Sequence, residues 1–478
     1  MSQYDVIVIG GGPAGERAAI MAARMDKRAA IVERAPVVGG TCVNWGTIPS
    51  KTLRESALFV HALTRNKLHG IRTEITNEIS VADFMYRERL VVQRELEIIN
   101  ESLVRYRIEV LQGQARFVDG HTVALVGEGG EARARLTGDV IVIATGSRPT
   151  RPPDVPFDGQ SVFDSDTILR LPRMPRSMIV LGAGVIGIEY AAMFAALGLQ
   201  VTLVDTRDQL LPYFDREIAD ILTRELRQLG IIIEHNDRYV RIERAPGEPP
   251  RVRCRTAAGN LLEAEVLLYC VGRDGNTDNL GLEHIGLEPT ERGLLQVNEH
   301  LQTAVPHVYA VGDVIGYPAL ASTSMEQGRQ AIRHAFNIQG PRGRTEVLPF
   351  AIYSIPEASY IGETEEELKG RGADYVVGRG RYDMNPRGQI IGDTGGLLKL
   401  LFEGDDLELV GVHVVGHQAS ELVHIGQAFM HAGTCAPRIA ETLYNYPTLS
   451  DMYRHAALEA MKTHRVKHGI GPVTRGTT

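Results

Sequence analysis

Short unbroken hydrophobic runs, each leading into glycine, set the rhythm of this chain. Asp5-Val-Ile-Val-Ile-Gly10 reads as a strand buried on both faces, because four consecutive β-branched residues leave no polar side. It leads into Gly10-Gly-Gly12-Pro-Ala-Gly15 and an alanine-rich helix predicted through about Met25. A second strand, Arg28-Ala-Ala-Ile-Val-Glu33, follows and ends in an acid. The same order returns at Met178-Ile-Val-Leu-Gly182-Ala-Gly184-Val-Ile-Gly187, with a small-residue helix to Leu197 and the strand Gln200-Val-Thr-Leu-Val-Asp205. The separation is 172 residues at each of four positions: Gly10 to Gly182, Gly12 to Gly184, Gly15 to Gly187 and Glu33 to Asp205. So long a period predicts a duplicated βαβ module, since solenoid repeats run at roughly 20 to 50 residues.

Three more apolar runs, Val140–Ala144, Val266–Val271 and His307–Val311, lead into Thr145-Gly146, Gly272-Arg273 and Gly312-Asp313. Strand ends of this kind line the ligand crevice of an open α/β sheet. From about Leu348 the texture changes to strands such as Tyr375–Val377 and Leu407–Val415, then amphipathic helices around Glu421–His431 and Met452–Met461. This predicts a third part of α+β type, with a frayed tail after about His464.

Composition narrows the possibilities. A chain of 478 residues with 44% hydrophobic and 23% charged residues has room for about three domains and a large core. The net charge of −8 argues against a nucleic-acid surface, which needs clustered positive charge. The apolar stretch Val6–Ala23 is interrupted by glycines, Pro13, Glu16 and Arg17, so neither a membrane span nor a signal-peptide core is expected and the location expected is cytoplasmic. Four cysteines, Cys42, Cys254, Cys270 and Cys435, have no zinc spacing and form no secreted disulfide framework. Cys270 is expected to be a buried core thiol. His413, His417, His424 and His431 cluster, but they straddle a predicted strand, a turn and a helix without a ligand motif, so no metal is expected.

A single Gly-x-Gly-x-x-Gly is weak evidence, whereas two copies, each between strand and helix with an acid eighteen residues after the last glycine, are specific. The glycines allow a tight turn and close approach of backbone to a pyrophosphate, and the helix N-terminus supplies positive potential. Glu33 and Asp205 are the candidate acceptors for ribose hydroxyls. Thr206 and Arg207 lie where an adenosine 2′ substituent should sit; the acid suits the free hydroxyls of NAD and the arginine suits the phosphate of NADP.

Gly39-Gly-Thr-Cys-Val-Asn-Trp-Gly-Thr-Ile-Pro-Ser-Lys51 resembles the active-site segment of the pyridine nucleotide-disulfide oxidoreductases. The likeness extends to Ala144-Thr-Gly146, Gly182–Glu189, Val311-Gly-Asp313 and Ile352-Tyr-Ser-Ile-Pro-Glu357, and so spans nearly the whole chain. The resemblance implies FAD on the first module, NAD or NADP on the second and a homodimer through the third part. The expected fold is α/β: two Rossmann-like dinucleotide-binding domains and a C-terminal α+β dimerisation domain. The expected division is 1–150 and 275–345 for FAD, 151–274 for NAD(P) and 346–478 for the interface.

Two departures shape the expected chemistry. Disulfide members of that family have a second cysteine where Thr47 follows Cys42, and a catalytic histidine from the partner subunit where Tyr446 precedes Pro447-Thr448. Tyrosine, with a reference pKa of about 10, does not act as an imidazole-like base at neutral pH. Both changes resemble the branch of the family that moves hydride from NADPH to NAD+ and back, through flavin N5, by a ping-pong route. An NAD(P)H dehydrogenase with a quinone or dye acceptor, or a flavin-binding subunit without turnover, remains open at this point. The catalytic candidates are Lys51, Glu189, Cys42, Thr47 and Tyr446. A lone glutamate between Ile188 and Tyr190 needs a partner, and the resemblance implies Lys51. Candidates for the first nucleotide are Gly10, Gly12, Pro13, Ala14, Gly15, Glu33, Arg34, Gly40, Thr41, Cys42, Lys51, Ala115, Thr145, Gly146, Gly312, Asp313, Leu320 and Ala321. The helix expected to start near Ala321 would aim its N-terminus at the flavin. For the second nucleotide they are Gly182, Gly184, Val185, Ile186, Gly187, Glu189, Asp205, Thr206, Arg207, Gly272 and Arg273.

Overall fold

The computed structural model describes residues 2–65, 80–127, 129–338 and 347–469, and three larger sheets carry its architecture. In the first, Ser2–Ile9 lies at the centre, paired in parallel with Ala29–Glu33 on one side and Ala132–Ile143 on the other. Glu109–Gln112 extends one edge and Val308–Ala310 returns from late in the chain to pair in parallel with Ala132–Ile143. Ile7, Ile31 and Ile141 are fully buried here, as their apolar runs require. The second sheet is parallel throughout, in the order Ile232–Glu234, Gln200–Val204, Ser177–Leu181, Val266–Tyr269, Val162–Asp164. The third is antiparallel: Phe350–Ile352, Ala358–Gly362, Glu408–Val415, Leu397–Glu403, Tyr375–Arg381.

Both fingerprint helices form where the glycine pattern predicts them, Pro13–Ala23 and Val185–Ala196. The second is apolar almost all round and buried on every turn, wedged between the sheet and its neighbours. A two-stranded antiparallel ribbon, Ser147–Pro149 with Arg273–Gly275, carries the chain into and out of the second module. The helix Thr47–Arg65 starts from the active-site segment and reaches the other two parts: Leu53 and Ala57 share a core with Ile188, Ala191 and Phe350. Arg54 fixes this junction with a bond from Nε to the Ser354 carbonyl at 3.0 Å and an ion pair to Glu357 at 3.0 Å.

Several expectations need correction. The strand around Val140 begins at Ala132, because its polar first half pairs antiparallel with Thr122–Val126 in a hairpin whose alternation hides it in a search for apolar runs. A three-stranded antiparallel sheet, Tyr239–Ala245, Arg251–Thr256 and Leu261–Ala264, was not expected; its exposed face carries Arg251, Arg253 and Glu263. Cys270 is only partly buried, since it directly follows the strand Val266–Tyr269; Cys254 is the fully buried thiol. The last helix runs Met452–Lys467, past the expected fraying point at His464, and most of the expected tail lies outside the described residues, as does the expected boundary at 345/346. Among the described residues no helix is long and apolar enough to cross a membrane.

Candidate active site

The two fingerprints fold into nearly superimposable turns. Gly10 and Gly182 have φ of +106° and +94°, a region open to glycine. Gly12 and Gly184 are the helix N-caps, with φ, ψ of −78°, −176° and −77°, −175°, and neither has a side-chain cap. A Cβ on Gly15 would sit 1.9 Å from the Gly10 carbonyl oxygen, and one on Gly187 would sit 1.9 Å from that of Gly182. The third glycine of each motif is therefore fixed by packing, while the uncapped first-turn N–H groups stay available to an anion.

At the C-terminal edge of the first sheet these elements line a cleft of about 1160 Å³, counting the space open to solvent at its mouth. Gly10, Gly12, Pro13 and Ala14 form one wall; Glu33 and Arg34 stand at one end, with Ala115 nearby; Gly40, Thr41, Cys42 and Thr47 line it from the active-site segment. Thr145, Gly146, Gly312, Asp313 and Ala321 complete it. Gly15 is packed behind the turn, and neither Lys51 nor Leu320 reaches this lining. Leu320 is instead the N-cap of the helix Ala321–Ala335, again without a side-chain cap. Three observations fit the cleft to a flavin dinucleotide. The Thr145 hydroxyl is buried with no protein partner. Glu33 accepts only from the backbone of Gly11 at 2.7 Å and Ala35 at 2.8 Å, leaving lone pairs for a ribose. The uncapped helix N-terminus faces the space between them.

Asp313 accepts from the Ser147 hydroxyl at 2.9 Å, and that hydroxyl accepts from Arg273 Nε at 2.8 Å. Arg273 also donates to the Ser147 carbonyl at 3.0 Å, so it secures the ribbon beneath the cleft. The left-handed turn at Gly272 has φ of +88° and accepts from Thr150. Sequence reasoning missed Ser147, and missed Gln327, whose side chain receives the Gly312 N–H at 2.8 Å. It also passed over Asn276, which lines the cleft and donates to the Thr145 carbonyl at 3.0 Å. Asn276 directly follows the short strand Arg273–Gly275, and an amide at a strand end was a usable signal.

Lys51 and Glu189 meet where all three parts of the molecule join. The Lys51 ammonium lies 2.6 Å from one carboxylate oxygen of Glu189 and 5.1 Å from the centre of the Tyr353 ring. The other Glu189 oxygen accepts the Tyr353 backbone N–H at 2.9 Å. Glu189 is almost fully buried, whereas the lysine side chain keeps 26% exposure, so its charge borders accessible space. Beside it, burial pushes the Cys42 thiol up, against the opposing effects of a hydrogen bond with Thr47 and the charge of Lys51. A thiol held neutral is a poor nucleophile. Tyr446 stands elsewhere, 74% exposed on the third part, and does not line the cleft.

In the second module, Val185 and Ile186 open the helix behind Gly184, and a Cβ on Gly184 would meet open space. Asp205 directly follows its strand Gln200–Val204, where Glu33 is the last residue of its own, and Thr206 is exposed beside it. Arg207 grips the Asp205 carboxylate with Nε and Nη2, both at 2.7 Å. Of the clustered histidines, His413 is fully buried with Nε2 at 2.8 Å from the Glu363 carbonyl, and His424 pairs with Gln427; His417 and His431 are exposed.

This arrangement, a duplicated nucleotide fold with a cleft along the first fingerprint and a lysine-glutamate pair between the modules, defines a class. The pyridine nucleotide-disulphide oxidoreductase family model matches residues 4–328, and the dimerisation domain of that family matches residues 348–457. The chain belongs to this family. It is 46% identical over 465 residues to the soluble pyridine nucleotide transhydrogenase of Mycobacterium tuberculosis (strain ATCC 25177 / H37Ra), covering 97% of this chain and 98% of that one. The soluble pyridine nucleotide transhydrogenase of Chromohalobacter salexigens is 44% identical over 461 residues, covering 95% and 97%. Among solved structures, LpdA of Mycobacterium tuberculosis superimposes with a TM-score of 0.86 at 26% identity, covering 96% of this chain and 99% of that one. The HOCl-induced flavoprotein disulfide reductase RclA of Escherichia coli, as its copper(II) complex, gives 0.85 at 28%, with the same coverages.

Proposed function

We propose that this protein is an FAD-dependent transhydrogenase that moves hydride from NADPH to NAD+, and in reverse, with one nicotinamide site used in turn by both nucleotides. The observation that carries the reading is the Cys42–Thr47 pair: the partly buried thiol lies against a hydroxyl where a disulfide enzyme needs a second sulfur. The full-length likeness to soluble pyridine nucleotide transhydrogenases supports the same conclusion.

Bound FAD supplies a hydride acceptor and donor at N5, so that electrons taken from one nucleotide can be returned to another. The chain contributes position and charge. Gly10, Gly12 and the first turn of the helix from Pro13 hold the pyrophosphate, Glu33 holds a ribose, and Arg34 and Ala115 border the adenosine end. Gly40, Thr41, Thr145, Gly146, Asp313 and Ala321, which line the same cleft, would flank the ribityl chain and ring. The helix starting at Ala321 directs its positive end into the cleft, where negative charge develops on reduction. Lys51, held by Glu189, places a cation at the entrance to the hydride-transfer region without chemical participation. Gly182, Gly184, Gly187 and Asp205 hold the nicotinamide nucleotide by the same means as the first module.

We assign residues 1–150 and 275–345 to FAD, 151–274 to NAD(P) and 346–478 to a homodimer interface. The exposed Met384, Leu443 and Tyr446 fit such an interface. The cytoplasm, where both nicotinamide pools are accessible, is the location we infer. The test is to mix anaerobic, NADPH-bleached enzyme with NAD+ in a stopped-flow instrument. Recovery of the flavin band with formation of NADH is expected; a flavin that stays bleached overturns the reading.

A further inference from the structure

The two acids at the C-terminal end of the second strand of each module are in different states. Glu33 receives two backbone N–H groups and has acceptor capacity to spare. Asp205 receives four bonds: Ala183 N–H at 2.5 Å and Arg207 Nη2 at 2.7 Å on one oxygen, Arg207 N–H at 2.9 Å and Arg207 Nε at 2.7 Å on the other. A carboxylate offers about four lone-pair positions, so this one is saturated. The difference comes from one residue, because position 207 stands in the duplication where Ala35 stands in the first module. Both residues give the same backbone bond; only Arg207 adds a fork.

A ribose diol needs a carboxylate with free lone pairs, and a 2′-phosphate needs a cation and no bare anion beside it. With Nε and one Nη2 proton on Asp205, Arg207 still has both Nη1 protons and the second Nη2 proton, and one Nη1 proton with that Nη2 proton forms its other two-donor edge. Its side chain is 37% exposed, while Asp205 is 4% exposed, so the arginine is the partner with room to move. We propose that Arg207 is a two-position clasp that lets one site accept both nucleotides. Closed, it neutralises Asp205 and presents its free edge to the 2′-phosphate of NADP(H). Open, it swings to solvent and yields Asp205 to the ribose hydroxyls of NAD(H). Dual acceptance thus depends on which partner each group takes, and the two nucleotides do not need separate pockets.

This rests on the function proposed above, and its test is binding of nucleotide fragments that carry no nicotinamide. Calorimetry on FAD-loaded enzyme would compare ADP-ribose with 2′-phospho-ADP-ribose. Arg207→Ala should weaken the phosphorylated fragment by about tenfold or more, the loss of a charge-assisted contact. The same change should tighten ADP-ribose by about threefold to fivefold, since a partly exposed ion pair no longer has to open. Opposite signs are the signature of the clasp. Weakening of both fragments, or an unchanged ADP-ribose, overturns it, because Arg207 then shapes the loop or only touches phosphate. Asp205→Asn gives an independent reading: ADP-ribose should weaken while the phosphorylated fragment binds as well or better, and an indifferent ADP-ribose again overturns the proposal. If wild-type enzyme binds the fragments as expected but fails to pass hydride, the functional reading fails and the clasp stands. If it passes hydride and Arg207→Ala weakens both fragments, the reverse is true.

Discussion

The first and second modules share a turn geometry to within a few degrees at their helix caps, yet they are held in place by different means. The first is enclosed: the helix Ala321–Ala335 packs across Pro13–Ala23, where a Cβ on Gly328 would lie 2.2 Å from the Ala14 carbonyl oxygen. Its cleft is bounded by segments from Ile9 through to Ser324. At the second, a Cβ on Gly184 would meet open space, and the module docks on the interface part through charge. Lys399, only 1% exposed, lies 2.8 Å from Asp215, 2.6 Å from Glu365 and 3.1 Å from Glu217, and Arg379 grips Glu217 at 2.8 Å. The lesson is that one local motif serves two ligand lifetimes: a resident group needs enclosure, and an exchanging substrate needs an open face on a firmly seated module.

The largest effects should come from the third glycine of each motif. Gly15→Val and Gly187→Val each force a side chain into a carbonyl 1.9 Å away, beyond what rotamer adjustment relieves. Gly15→Val should yield protein without FAD. Gly187→Val should keep its flavin spectrum but lose bleaching by NADPH and NADH alike. Loss of flavin in both variants would show that the modules do not act separately.

Next in size is the seat of the second module. Lys399→Met leaves Asp215, which has no exposed surface, beside Glu217 and Glu365, and breaking a buried pair in this way costs about 3–5 kcal/mol. Burial raises the Glu365 carboxyl, but hydrogen bonds from Lys369 and Lys399 outweigh it and hold the pKa at about 2. A depressed carboxyl contributes stability that is full above its unfolded pKa of about 4.3 and disappears as pH falls toward 2. Urea unfolding of wild type should therefore weaken across that window, and Lys399→Met should flatten part of the dependence. An unchanged pH profile in the variant would mean that the cluster adds nothing to docking.

How far these features could be read in the sequence follows from how local they are. The turns at Gly10 and Gly182, the acids Glu33 and Asp205 and the helices that follow are legible because each is decided within a few residues by sterics and capping. The Lys51–Glu189 pair spans 138 residues and was legible only through resemblance, together with the rule that a buried acid needs a partner. Lys399 was overlooked within the apolar run Leu397–Glu403, although a lone lysine there is itself a signal for buried acids. The Arg273–Ser147–Asp313 chain and the saturation of Asp205 were out of reach. Short polar side chains choose among many backbone partners only once the sheets have assembled.

The Lys51–Glu189 pair spans the comparison, one residue from each module. Glu189→Gln keeps an acceptor for Tyr353 but removes the charge that holds Lys51, so flavin bleaching at saturating NADPH should slow by about 100-fold, or about 2.7 kcal/mol. Lys51→Met should match it, and the double variant should be no slower than either single one. Stopped-flow rates settle this; full rates with altered thermal stability would make the pair a structural bridge alone.

The smallest effect belongs to the residue that most suggests chemistry. In the first module the segment after the second strand presents Cys42 to the cleft, whereas the corresponding position of the second module is Phe214, a core residue. If thiol chemistry had persisted, Cys42 would need a thiolate and a partner sulfur, yet burial pushes its thiol up and the adjoining side chain is the Thr47 hydroxyl. Cys42→Ser preserves size and the hydrogen bond to Thr47, so hydride transfer should stay within about twofold of wild type, a change below 0.5 kcal/mol on the usual scale for a benign replacement. Anaerobic dithionite titration should consume about two electrons per flavin in both proteins, the capacity of the flavin alone. Four electrons in wild type and two in the variant would reveal a second acceptor at Cys42, and the first module would then differ from the second in chemistry as well as in enclosure.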